Sequence, residues 1–239
     1  MPALPASPLE DILQRHPVWR GAALGRASAA VSTGYAELDG QLPGGGWPTG
    51  ALTELLGLQE GIGELQLVLP AIAALSSAGK RVIWLAPPHL PYAPALAAAG
   101  VDLANLAVLR APGRRDALWA AEQALRAGAC HALLAWFRHA RFEELRRLSV
   151  AAEGSRAFVA LFRPREAARE PSPAGLRLAL EPGEGALEVH ILKRRGAPMP
   201  TPLRLPVKRP VHALGRSGFS ASSARDARTH RRLGVPVHA

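Results

Sequence analysis

A chain of 239 residues with 48% hydrophobic residues is long enough to bury one sizeable core, and its few aromatics leave Leu, Ala and Val to build it. No apolar run is long and polar-free enough to span a bilayer, and MPALPASPLEDILQRHP lacks the basic and apolar regions of a secretory leader, so a cytoplasmic location is expected. The one cysteine, Cys130, excludes an internal disulfide and reads as a buried structural thiol. The formal charge of +10 is lopsided: from Lys193 onward eleven Lys and Arg face a single acid, Asp226, while the first 192 residues hold 18 of each sign.

In chain order, residues 1–30 are rich in Pro and Ala, with a short helix over Pro8–Arg15 stopped by Pro17, and read as an arm. STGYAELDGQLPGGGWPTG then predicts a short helix near Tyr35–Leu38 and a glycine turn, and ALTELLG the first core strand. Apolar spacing predicts a helix over Glu64–Ala78. Strands RVIWLA, NLAVLR, CHALLAWF and RAFVALF alternate with helices over Pro91–Ala99, Arg115–Arg126 and Arg141–Ala152, the signature of a mainly parallel sheet covered on both faces. GLRLAL and ALEVHIL, joined by EPGEG, predict an antiparallel pair. Residues 196–239 carry too much Pro, Ser and Arg for a packed structure and read as a basic, disordered tail.

The glycine turn TELLGLQEGIGEL has the setting of a phosphate-binding loop, a strand before it and a helix after it, without the residues that such a loop needs. The spacer from Gly57 to Gly63, which includes Gly61, is one residue too long. Glu64 stands where a lysine would meet β and γ phosphates, and Leu65 where a hydroxyl would hold Mg²⁺. A carboxylate there repels phosphate. The strands that would supply a magnesium-holding or water-positioning acid end in Trp136, Phe137, Arg138 and His139 and in Pro87, Pro88 and His89. ATP hydrolysis is therefore not expected, no cofactor is called for, and only weak anion binding by the loop's amides stays open.

Other chemistries find no anchor. His89, His131 and His139 lack HExxH or cysteine partners at metal spacing, so no metal is expected. Ser76 and Ser77 fall within a helix, not on a nucleophile elbow. Glu143 and Glu144, beside Arg141, Arg146 and Arg147, read as same-helix ion pairs or as part of a partner surface. Trp47 either caps the core or anchors an interface. Lys193, Arg194, Arg195, Arg204, Lys208, Arg209, Arg216, Arg225, Arg228, Arg231 and Arg232, with few aromatics among them, suit phosphate-backbone or acidic-protein contact without base reading; a merely solubilising tail is the alternative.

From about residue 31 to 195 the order of these pieces resembles the RecA/RadA recombinase core, with Pro87 where those enzymes keep a catalytic glutamate. More closely, GGGWPTGALTELLGLQEGIGELQLVLPAIAAL, APPHLPYAPALAAAG and LEVHILKRRG resemble ImuA, a family of SOS mutagenesis proteins also described as SulA-like or RecA-like. The resemblance implies a RecA-like three-layer α/β core with a degenerate phosphate loop, flanked by the arm and the tail. It implies a non-catalytic adaptor in translesion DNA synthesis, working with an ImuB-like Y-family protein, an error-prone DnaE-type polymerase or RecA. A DNA-binding RecA-like protein with residual nucleotide binding, and a SulA-like division inhibitor, are the alternatives.

Overall fold

The computed structural model describes residues 30–58, 60–196 and 201–206. The helix expected at Pro8–Arg15 and the basic residues from Lys208 onward lie outside them. Eight strands form one sheet: β3 (Ala51–Gly57), β4 (Val82–Leu85), β5 (Leu106–Leu109), β6 (Ala132–Trp136), β7 (Phe158–Pro164), β8 (Leu176–Pro182), β9 (Ala186–Lys193) and β10 (Leu203–Pro206). Their order is β10-β9-β8-β3-β7-β6-β4-β5, parallel from β8 to β5 and antiparallel at β8/β9 and β9/β10. The expected mainly parallel α/β sheet and its antiparallel pair are thus present. β10 is a difference from expectation, because Leu203–Pro206 falls in the stretch read as a structureless tail. Its Leu205 is buried against the sheet, and a four-residue edge strand is too short to show periodicity.

Strands such as β6, whose first four residues are all buried, need cover on both faces. α2 (Glu64–Ser77), with α1 (Ala36–Asp39) and α3 (Ala93–Ala98), closes one face through Leu38, Leu67, Ile72 and Leu96. α4 (Arg114–Arg126) and α5 (Phe142–Ser155) close the other through Leu118, Leu125, Leu145 and Leu148. A separate two-stranded ribbon of β1 (Ala30–Val31) and β2 (Trp47–Pro48) lies outside the main sheet.

The segment Ser32–Tyr35 is fitted to an irregularity in α2. Pro70 inside that helix has no N–H to give to the carbonyl of Gln66, and the Tyr35 hydroxyl donates to that oxygen at 3.1 Å instead. Gly34 rests on the same proline: its φ is +82°, and a Cβ there would stand 2.4 Å from Pro70 Cβ. Asp39 ties the segment down, accepting from the Thr33 N–H at 2.8 Å and the Ser32 hydroxyl at 2.7 Å.

Candidate functional site

A crevice of about 610 Å³ opens at the C-terminal ends of β3, β4, β6 and β7, the end at which parallel α/β sheets bind their ligands. Its apolar wall is Leu55, Trp136 and Phe162, the two rings stacked at 4.5 Å and 9°, with Trp84 tilted against Trp136 at 5.7 Å. Glu60, Glu64, Arg138 and Arg163 supply its charge, and Glu60 meets His89 at 3.2 Å on the opposite loop. Ala86, just past β4 at the crevice, holds φ +51°, a left-handed conformation that a non-glycine residue adopts only when its surroundings impose it.

Gly57 is the last residue of β3, and the glycine loop runs from it to α2. Gly61 and Gly63, at φ +81° and +111°, turn their N–H groups toward one shared acceptor, a backbone arrangement suited to an anion. The occupant is the chain's own carboxylate: Glu64 Oε1 accepts from Gly61 N–H and Oε2 from Gly63 N–H, each at 3.1 Å. Glu64 is also the first residue of α2, where the helix dipole favours a negative charge. An external anion would have to displace this carboxylate and then face its charge. Leu65 packs toward the core.

The loops around the crevice expose large apolar side chains. Leu58 is 59% exposed on the glycine loop, and Leu90 and Tyr92 are 73% and 71% exposed on the loop that carries Pro88 and His89. Leu58 itself lines the crevice, and Leu90 and Tyr92 follow its lining residue Pro88 in the chain; exposed apolar side chains of this kind suit a protein-docking surface.

Several candidate residues have other duties. Trp47 is fully buried and stacks on Phe158 at 5.3 Å, so it is a core residue and not an interface anchor; β2 turns it inward from a segment whose turn-like sequence hides that direction. Glu144 pairs between helices, not within one: its carboxylate takes Arg114 of α4 at 2.6 Å and the Arg141 N–H at 2.7 Å, capping α5. Glu143 is exposed on α5. Lys193 ends β9 and donates to Ser172 O at 3.0 Å, Arg194 donates to Gln41 O, and Arg204 of β10 meets Glu188 at 3.4 Å. These three tail candidates are engaged by the folded body, while Arg195 is exposed. Ser76 and Ser77 serve helix ends and a neighbouring turn, Ser77 donating to Gly100 O at 3.1 Å. Burial pushes the Cys130 thiol up to about 11 against the pull of Arg81, which leaves it inert near neutrality.

One cluster escaped the sequence reading. Glu54, fully buried in β3, takes Arg163 of β7 at 2.9 Å and Arg177 of β8 at 2.6 Å. Arg163 also reaches Glu170 at 2.8 Å, and Arg177 donates to the carbonyls of Ala167, Ala168 and Glu170. The signal was one charge in each of three apolar strings, TELLG, ALFRP and LRLAL. Arg163 lines the crevice, so this network reaches its wall.

Residues 50–159, which span the glycine loop and most of the crevice, match the family described as cell division inhibitor SulA. Over 100 residues the chain is 32% identical to a protein named cell division inhibitor SulA from Edwardsiella piscicida, covering 42% of this chain. The chain thus carries a SulA-like segment, and the match spans about 60% of that relative's length. Among the described residues no helix is long and apolar enough to cross a membrane.

Proposed function

We propose that this protein is a non-catalytic DNA-damage-response adaptor that acts by docking on other proteins of the translesion synthesis machinery. The observation that carries the reading is the Glu64 carboxylate on the Gly61 and Gly63 amides, which fills the cradle a nucleotide phosphate needs. A RecA-like body without nucleotide chemistry keeps surfaces for protein contact, and the exposed Leu58 at the crevice, with Leu90 and Tyr92 on the loop after Pro88, supplies one. Its partners are an ImuB-like protein, an error-prone DnaE-type polymerase or RecA, met in the cytoplasm, and the arginines beyond Lys208 add contact with DNA phosphate or an acidic protein face.

A second reading, division inhibition, is favoured by the match of residues 50–159 to the SulA family. One panel separates the two. Purified chain is immobilised and offered the ImuB-like protein, the polymerase, RecA and the tubulin-like division protein. Saturable binding to any of the first three, weakened at least tenfold by Leu90→Asp with Tyr92→Asp, supports the adaptor; binding to the division protein alone replaces it with the second reading. ATP turnover above background by the unmutated chain overturns the non-catalytic reading.

A further inference from the structure

The geometry points to a divalent transition-metal site, of the kind that takes Zn²⁺, held by Glu181, Glu188 and His190 on the β8/β9 hairpin. Glu181 and Glu188 are direct cross-strand partners, and His190, two residues on, shares the half-exposed face of β9. Two like charges placed opposite each other repel, and Arg165 beside Glu181 and Arg204 beside Glu188 offset part of that repulsion from the outer side. One ligand atom from each of the three residues lies within 4.8 Å of the others.

The histidine separates this cluster from an ordinary pair of surface acids. Among the described residues His190 Nε2, shielded from water, has no hydrogen-bond partner, although Glu181 Oε2 stands only 3.8 Å away. That separation is too long for a hydrogen bond. It suits two atoms that share a cation, since ligands about 2.1 Å from a tetrahedral zinc stand about 3.4 Å from each other. The other oxygen of Glu181, Oε1, is held by Arg165 at 2.7 Å, which leaves Oε2 aimed at the histidine. Arg204 meets Glu188 through Oε1 at 3.4 Å. The two arginines orient the ligand carboxylates from outside, as hydrogen-bonding partners of metal ligands commonly do. Two carboxylates and an imidazole make three protein ligands, and the half-buried setting leaves a fourth position for water or a partner's side chain.

The full chain, stripped of metal with a chelator, is titrated calorimetrically with ZnCl₂ and, separately, MgCl₂. The expected result is a zinc site of one ion per chain, weakened at least tenfold by His190→Ala and by Glu188→Gln, unchanged by His89→Ala, and not matched by magnesium. The unmutated chain loaded with Co²⁺ should show the intense visible bands of a four-coordinate ion without thiolate charge transfer, a readout that survives any folding defect in the variants. Absence of those bands, or zinc binding that His190→Ala and Glu188→Gln leave intact, overturns the site.

Discussion

Glu54 and Glu64 lie on either side of one glycine loop, within the strand before it and at the start of the helix after it, and use the same carboxylate in opposite ways. Glu54 is buried at the centre of the sheet, where two guanidinium groups answer its charge. Glu64 sits at the half-exposed rim, where two backbone amides and a helix N-terminus answer it. The difference is one of solvent. A charge without water demands full ionic partners, and removing one partner strands the rest. At a wet rim weaker dipoles suffice, and the carboxylate's effect falls on what else can bind there.

The contrast breaks most easily at Glu54. Glu54→Ala leaves Arg163 and Arg177 buried without their shared anion and should destabilise the fold by about 3–5 kcal/mol, read as a lowered urea midpoint. A loss below about 1 kcal/mol would place the network in water and remove the contrast.

Tyr35 is an intermediate case, a half-buried hydroxyl serving a carbonyl that Pro70 leaves unpaired. Tyr35→Phe should lower stability by about 1 kcal/mol. In a Pro70→Ala background, where residue 70 regains an N–H for Gln66 O, the same substitution should lower it less. Equal losses in both backgrounds would mean that the hydroxyl does not compensate for the proline.

Glu64→Ala should shift the melting temperature little, under about 1 kcal/mol in stability, and should instead create weak binding of inorganic phosphate that the unmutated chain lacks. Equal phosphate affinity in both proteins would show that the carboxylate does not guard the loop.

The smallest effect concerns Cys130. Its raised pKa means that the folded chain keeps the thiol protonated while the unfolded chain ionises, so its contribution is intact below about pH 9 and disappears as the pH rises through about 11. Iodoacetamide at pH 8 should label the native chain far more slowly than chain in urea; equal rates would contradict its burial.

Much of the scaffold was legible because periodicity reports burial directly. ALTELLG, VIWL and ALLAW carry apolar runs that only a two-sided sheet can hide, and they became β3, β4 and β6. The glycine loop was legible as a loop with the wrong charge. That the charge folds back onto its own amides was not, because Glu64 and Gly61 meet only when two consecutive turns adopt positive φ at Gly61 and Gly63. Trp47 misled for a related reason: GGGWPTG has the composition of an exposed turn, and only pairing of Trp47 with Val31 shows which way the ring faces.

The sequence by itself determined the type and order of most of the elements, though not of β1, β2 and β10, the neutral body with its basic end, and the absence of lysine and hydroxyl from the glycine loop, since each depends on residues close in the chain. The tertiary structure alone decided which distant charges meet. Glu54 finds Arg163 and Arg177, and Glu181 finds Glu188 and His190, through strand order and register. Register is set by the packing of the whole sheet, and a shift of one residue would turn each of those side chains to the opposite face.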